Sequence, residues 1–521
     1  MNIAATIPST VPSNSANSNA VIKNVFVLML ENRAFDHMLG FAGISGVVGL
    51  DGAESNSYEG TPYTVQKGAD WSMPVSPGHE FADVLAQLAG GTATYPCGGT
   101  YPPIDNSGFV WDYVNSPSKD EGGATCDLGE IMKCYDTVPQ LPVLYTLATQ
   151  FAVCDNWYAS LPGPTWPNRF FVHGASSSGL DDSPSDPQMI EWETIKGFRY
   201  DNGSIFDLLD NTFKARKLKH PWRIYRGVSW PLSGAIPGVA ALHNIDIEDT
   251  FDFKKFDRHV NDKDGYPYFY TFIEPNYGDI VNHSYKGGQS QHPRDDVRSG
   301  EALIKSVYDS LRRSPLWENS LLIITYDEHG GFYDHVAPLA CPAPGDSMKW
   351  SQHGFTFEQY GLRVPAVVVS PFIAAGTVDH TLYDHASVPN TLEALAQMST
   401  LTGRDYAANN VTALLSLSQA RSDTPIVLPD PATGGPLPFA LAPQADDADP
   451  DTLITDPNMP AFLFVVAKQK AKLDARAGVP EALAASNAFM QARNARTVGQ
   501  ARALINEVMT RVNAAEPDGG A

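Results

Sequence analysis

The sequence predicts an α/β fold, a three-layer α/β/α sandwich around a mostly parallel central sheet, and three observations carry that prediction. Four short stretches are apolar at nearly every position: Val21–Leu30, Gln150–Cys154, Ser320–Tyr326 and Val364–Ser370. That pattern belongs to strands buried on both faces. Helical periodicities lie between them. Leu303, Ile304, Val307, Tyr308 and Leu311 share one face of a segment starting at Asp296, with Pro315 after it, and a second helix spans His385–Met398. Strands alternating with helices bury the sheet between two helical layers. The third observation is size: 521 residues, 43% of them hydrophobic, suit one large enzyme domain or two to three smaller ones.

Taken in order, residues 1–20 read as a loose Ser/Asn/Pro tail. The apolar run Ile3–Ile7 is too short for a secretory core, no Lys or Arg precedes Lys23, and no stretch approaches the roughly 20 apolar residues that span a bilayer. Residues 21–421 read as the catalytic domain. Residues 422–460 read as a linker: nine prolines fall between Thr424 and Pro460, with an acidic run at Asp446, Asp447, Asp449 and Asp451. Residues 461–521 read as a helical C-terminal extension, Ala-rich and broken near Gly478–Pro480. Gly (42) and Pro (40) together make about a sixth of the chain, which implies many shaped loops, where chemistry usually sits.

The net charge of −23 argues against nucleic acid or an anionic membrane surface as a pure charge partner. Of the five cysteines, Cys97, Cys126 and Cys134 lie close enough in sequence for one disulfide, and Cys154 reads as a buried thiol. No CxxC or Cys/His zinc spacing occurs. There is no P-loop and no GxGxxG after a strand. GASSSG (Gly174–Gly179) has the wrong spacing for a serine-hydrolase elbow.

Three buried strands lead into polar clusters, where an α/β sheet places its ligands. Glu31 and Asn32 follow the first directly, two hard oxygen donors suited to a divalent cation. Taken alone they equally fit a helix start, with Asn32 as cap and Asp36 as first-turn acid. Asp327 and Glu328 end the strand SLLIITY. Adjacent buried carboxylates are costly unless a cation or strong donors neutralise them. The turn His329–Gly331 follows. Thr165, in SLPGPTWPNR, opens a helix after the tight loop Pro162–Pro164. A hydroxyl there faces backbone N–H groups, a natural phosphate site, although an N-cap Thr and an early-helix Pro167 would explain the same residues. Together, Glu31, Asn32, Asp327 and Glu328 can hold one metal, with Thr165 as the nucleophile it activates. The oxygen ligand set favours a hard ion such as Ca²⁺, Mg²⁺ or Mn²⁺.

The combination ENRAFDHMLGF, PGHEF, LPVLYTLATQFAVCDNWYASLPGPTWPNR, QHPRDDVRSGEALI, YDEHGGFYDHV and LRVPAVVVSPF resembles the bacterial phosphoesterase family. That family contains the non-zinc phospholipases C and related acid phosphatases, on an alkaline-phosphatase-like catalytic domain. The likeness spans roughly Val21 to Gln397. It implies Glu31, Asn32, Thr165, Asp327 and Glu328 as metal ligands, with Thr165 also the nucleophile. It implies that His79, in PGHEF, and His292, before Pro293, contact the phosphate or assist the leaving group, with Asn32 also binding substrate. Two positions depart from the usual pattern: Ala34 stands where Ser is common, and His292 is preceded by GGQSQ.

The resemblance implies hydrolysis of a phosphate ester through a phospho-threonine intermediate. Cleavage of phospholipid head groups is the first expectation and phosphomonoester hydrolysis the second. A non-catalytic phosphate-binding relative is the alternative of another class. The expected partner is a small phosphate ester or phospholipid, with no nucleic acid, no transmembrane anchor and no assigned oligomeric state. The family favours a secreted or periplasmic setting, although this chain carries no signal peptide. His37, His173, His329, His335 and His385 read as turn residues or supports to the site, the last two the better supports. The aromatic stretch His220, Trp222, Tyr225 and Trp230 reads as core more than as a choline-binding wall.

Overall fold

The computed structural model describes residues 22–117, 123, 127–184, 197–214, 220–227, 233–263, 265–433 and 449–515. The N-terminal tail, Cys126, Trp230, Asp446 and Asp447 lie outside the described residues. Eight strands form the central sheet: β1 (Asn24–Leu30), β2 (Ala152–Cys154), β3 (Trp222–Arg226), β4 (Thr250–Asp252), β5 (Tyr270–Ile273), β6 (Ser320–Tyr326), β7 (Ala366–Val369) and β8 (Thr377–Asp379). Their order is β8–β2–β7–β6–β1–β5–β3–β4. β7 runs antiparallel to both neighbours and every other pairing is parallel. Helices cover both sides, as the alternating pattern predicts.

The two strands most legible in the sequence are central. Every residue of β1 and β6 is buried. Each fully enclosed Leu, Ile or Phe contributes about 1.5–3 kcal/mol. They pair in parallel from Asn24–Ser320 to Leu30–Tyr326. Both strands therefore end at one level, and Glu31–Asn32 emerge beside Asp327–Glu328. β5 pairs with the other edge of β1, Leu28 opposite Ile273, and delivers Glu274 to the same end. β3, β4, β5 and β8 were not expected from the sequence. In β3, Arg226 is fully buried and donates to the Thr250 carbonyl (2.9 Å) and to Asn513 Oδ1 (2.8 Å). Trp222 and Tyr225 are buried in β3, the core role expected of that stretch.

Six helices bear on the site: α1 (Pro142–Gln150), α2 (Thr165–Gly174), α3 (Val297–Arg313), α4 (Ser387–Ala396), α5 (Met459–Arg476) and α6 (Val498–Ala515). The Asp296 side chain caps α3 by accepting from the Arg298 N–H. Glu301 of α3 accepts from the amides of Val143 (2.8 Å) and Leu144 (2.9 Å), tying α3 to the first turn of α1. The C-terminal region forms α5, a helix at Glu481–Asn494 and α6, with Gly478 at the break in a left-handed conformation (φ 97°). Buried residues of these helices, Phe462, Leu463, Val466, Leu504 and Val508, share one continuous core with the sheet. No described helix is long and apolar enough to cross a membrane. Cys97, Cys134, Cys154 and Cys341 are free thiols; Cys154 is buried, as expected.

Candidate active site

The level ends of β1 and β6 create the site. Asn32 takes a left-handed conformation (φ 57°) and its N–H donates to Asp327 Oδ1 (2.9 Å). Its side chain therefore turns sideways instead of capping a helix. Asn32 Oδ1 accepts from Thr165 Oγ1 (3.2 Å), and Nδ2 lies 3.3 Å from His79 Nε2. Gly330 and Gly331 follow at φ 66° and 75°. A side chain on Gly330 would come within 2.5 Å, at 2.1 Å, of the Asn32 carbonyl, and one on Gly331 within 2.5 Å of the Gly78 carbonyl. The turn predicted from His329–Gly331 thus lets two site segments approach backbone to backbone.

Thr165 is the first residue of α2, with Pro164 at the cap position, so its hydroxyl is not consumed as a cap. Asn168 fastens the loop before it, accepting from Leu161 N (3.2 Å) and donating to the carbonyls of Gly163 (2.9 Å) and Pro164 (3.1 Å). Pro162, Pro164 and Asn168 thereby hold the nucleophile candidate on a shaped support.

The acids cluster as predicted, and the structure adds a cation that the sequence reading left without a role. Arg169, one helical turn after Thr165, donates from Nε to Asp327 Oδ2 (2.9 Å) and from Nη2 to the Leu30 carbonyl (3.0 Å). Its Nη1 lies 3.7 Å from Glu274. Burial, then the neighbouring Asp327 charge, raises Glu31 well above the usual carboxylate range. Burial pushes Asp327 up to about 6 against the pull of Arg169, and Glu274 up to about 7. One guanidinium does not neutralise four buried acids. Glu31 Oε2 and Glu328 Oε1 are buried without hydrogen-bond partners. Orphaned carboxylate oxygens beside Asn32 and Thr165 suit a hard divalent cation.

A different group of acids draws closest. Among the described residues, ligand atoms of Asp36, Asp334 and His335 all lie within 4.8 Å of one another. Arg363 already occupies that cluster: it donates to Asp36 Oδ1 (2.9 Å), to Asp334 Oδ1 (2.9 Å) and to the carbonyls of Val48 (2.9 Å) and Asp155 (3.0 Å). A buried guanidinium does there what a cation would do. Asp36 stands in the first turn of the short helix Phe35–Leu39, as expected of a first-turn acid, and its carboxylate is held by Arg363 (2.9 Å) and His335 (2.6 Å).

The histidines separate by their partners. His79 faces Asn32 through Nε2 and Pro77 O through Nδ1 (3.2 Å). His292 lies on the loop that lines the end of β1: Glu31 N donates to Ser290 O (2.9 Å), and Arg33 reaches the carbonyls of Gln291 (2.7 Å) and His292 (3.2 Å). Arg294 N donates to His292 Nδ1 (3.3 Å), which leaves the neutral ring's proton on Nε2. His385 Nδ1 accepts from Trp157 (3.4 Å), so Nε2–H donates to the Asp327 carbonyl (2.5 Å); His385 supports the site as expected. His335 serves the Arg363 cluster instead. His329 Nε2 meets Gln87 (2.7 Å) and Nδ1 approaches Glu328 (3.3 Å). His37 stacks on Phe332, and His173 is buried against Phe272.

A small cavity opens beside Thr165. Trp166, Arg169, His173, Val239, Tyr277 and Phe462 are among the residues that line it. Phe462 belongs to α5, so the C-terminal region contributes a wall. Sequence reading missed Glu274, although IEP repeats the pattern of LEN and YDE, an acid directly after buried apolar residues.

Comparison with known proteins shows what the chain is similar to. The family model described as the Phosphoesterase family matches residues 22–399. Non-specific phospholipase C6 of Arabidopsis thaliana is 33% identical over 437 residues, covering 79% of this chain and 75% of that protein. Non-specific phospholipase C3 of the same plant is 29% identical, covering 88% and 84%. Phospholipase C B of Mycobacterium tuberculosis is 27% identical, covering 72% and 73%. The relatives are therefore plant as well as bacterial. Among solved structures, a protein in the alkaline phosphatase superfamily from Vibrio parahaemolyticus is 16% identical with a TM-score of 0.30, covering 52% of this chain and 64% of that one.

Proposed function

The chain belongs to the phosphoesterase family and is a phosphoric ester hydrolase, and from that membership and the site geometry we propose that it cleaves phospholipid head groups by a phospholipase C-type reaction through a phospho-threonine intermediate. The observation that carries the proposal is the contact of Thr165 Oγ1 with Asn32 Oδ1 (3.2 Å), at the start of a helix and beside a buried acid cluster with two orphaned oxygens. That places a hydroxyl where phosphate charge is welcome, at the positive end of α2.

Glu31, Asn32, Asp327 and Glu328 would hold the cation, with Thr165 next to it. When bound, a hard divalent ion neutralises phosphoryl charge and lowers the pKa of the attacking hydroxyl. The remaining work belongs to the chain. Thr165 Oγ1 gives up its proton to solvent water and forms a bond to phosphorus. The bond between phosphorus and the alcohol oxygen breaks, and the alcohol leaves with a proton from a neighbouring acid. His292, protonated to the imidazolium and so released from the Arg294 N–H, would make that donation, and His79, facing Asn32, would contact the phosphoryl group. Water then attacks phosphorus, the Thr165 oxygen leaves, and the phosphorylated head group is released. Arg169 keeps Asp327 ionised and fixed throughout.

The test pairs p-nitrophenylphosphocholine with p-nitrophenyl phosphate, each with and without chelator, on wild type and Thr165→Ala. The proposal expects faster turnover of the choline diester, loss of turnover on chelation, and a fall of about a thousandfold or more in Thr165→Ala. Faster turnover of the monoester would make the enzyme a phosphatase. Wild-type-like activity in Thr165→Ala would defeat the mechanism.

A further inference from the structure

The segment between β8 and α5 reaches back to the active-site loop, far outside the residues that the family model matches. Asp456 is buried two residues before the cap of α5, and its Oδ2 accepts from Tyr285 Oη (2.7 Å). The Tyr285 ring lies flat on His292, with centroids 3.4 Å apart and planes 8° from parallel. Tyr285 holds this position at φ 53°, a left-handed conformation that a bulky residue adopts only when its surroundings impose it. A second tie holds the same loop: Arg502 of α6 pairs with Asp279 (2.9 Å). The C-terminal region thus grips the His292 loop, and the grip at Asp456 reaches the imidazole through Tyr285.

We propose that Asp456 is a positioning residue for His292, acting through Tyr285, so that the C-terminal segment completes the leaving-group side of the active site. This rests on the reaction proposed above. A ring stacked at this distance sets the plane of its neighbour, and with it the direction in which His292 Nε2–H points. The hydrogen bond to Asp456 fixes the tilt of Tyr285. A phenol that donates to a carboxylate is also richer in electron density, and its face better supports an imidazole carrying positive charge. The other Asp456 oxygen, Oδ1, accepts from Asn458 N (2.8 Å), an oxygen that Asn at this position would retain.

A positioning role predicts a dependence on the leaving group that a structural role does not. p-Nitrophenolate departs without an acid, whereas the alkoxide of a diacylglycerol needs one. Asp456→Asn and Tyr285→Phe are to be compared with wild type on p-nitrophenylphosphocholine and on soluble dihexanoylphosphatidylcholine, with thermal midpoints recorded. The expected result is a fall of about tenfold in kcat on the dihexanoyl lipid for both variants, against less than twofold on the nitrophenyl ester for Asp456→Asn. The double variant should be no slower than Tyr285→Phe alone, because both changes remove the same donation from Tyr285 Oη to a carboxylate. Equal losses on the two substrates, or no loss on either, would overturn the positioning role. If Asp456→Asn loses its cooperative melt, Tyr285→Phe carries the same lipid comparison. If wild type turns over neither choline ester, the proposed reaction itself is wrong and the inference falls with it, an outcome distinct from failure on an active wild type.

Discussion

Replacing Arg363 with Met tests whether a guanidinium, and not a metal, neutralises the acid cluster behind the site. The side chain is fully buried and supplies hydrogen bonds to Asp36, Asp334, Val48 O and Asp155 O. Its removal leaves two buried carboxylates whose backbone and side-chain contacts bring them together: Asp36 N donates to Asp334 Oδ2 (3.2 Å). Breaking a buried pair by deleting one partner costs about 3–5 kcal/mol. Unfolding entropy of about 2.1 cal/mol/K per residue over this length makes each kcal/mol worth about 1 °C, so the midpoint should fall by about 3–5 °C. The loss must depend on pH. Burial pushes Asp334 up to about 6 even with Arg363 pulling it down. Burial works against His335, yet its hydrogen bond with Asp36 raises it. Both groups hold protons more tightly folded than unfolded. Their stabilisation is complete below the unfolded values, near ~3.9 for Asp and ~6.5 for His, and fades as pH rises through the folded ones. Without Arg363, Asp334 binds its proton more tightly still, so the deficit of Arg363→Met should be full at pH 8 and less than half as large at pH 5. Thermal melts of both proteins at the two pH values decide it. An equal deficit at pH 5 and pH 8, or none at either, would refute the reasoning.

Two further outcomes follow from buried cations. Lys in place of Arg169 cannot reach Asp327, the Leu30 carbonyl and Glu274 at once; kcat on p-nitrophenylphosphocholine should fall by about 10–100-fold with the fold intact, measured by steady-state kinetics and melting, and a kcat within twofold of wild type would show that Arg169 does not fix Asp327. Lys468 of α5 donates to the carbonyls of Ala240 (2.9 Å), Leu242 (2.5 Å) and Ile245 (2.6 Å), so Lys468→Met should cost about 2–4 kcal/mol. Burial holds Lys468 down to about 8. A depressed lysine contributes stability that is present above its unfolded value and lost as pH falls through about 8, so the gap between wild type and Lys468→Met should widen from pH 7 to pH 9; a gap that narrows would contradict this.

The parts of the molecule that could be read in the sequence share a physical reason. β1 and β6 lie between two helical layers, so both of their faces are apolar and their ends are abrupt; the polar residues at those ends stand out. Parallel pairing in level register does the rest, since it brings Glu31, Asn32, Asp327 and Glu328 together without any further instruction. Thr165 stood out only with the other motifs beside it, since alone an N-cap Thr and an early-helix Pro167 explain the same residues. β3 and β5 escaped notice because their sequences, WRIYR and YTFI, are not uniformly apolar. With β5 unseen, Glu274 had no strand end to belong to.

Arg169 shows a deeper limit. It stands in a quoted motif, yet nothing local marks a helical arginine as the counter-ion of a strand-end aspartate. What marks it is a charge requirement: buried acids need a cation, and the requirement becomes visible only when tertiary structure gathers them. The same requirement reads differently at the two acid clusters. At Asp36 and Asp334 a single arginine, with His335, balances the charge and uses the oxygens. At Glu31, Asp327, Glu328 and Glu274 one arginine leaves a surplus of negative charge and two oxygens without partners. Surplus acidity is what separates a cation-binding site from a structural ion pair, and by that criterion the ends of β1 and β6 suit a cation better than the group of Asp36, Asp334 and His335 does.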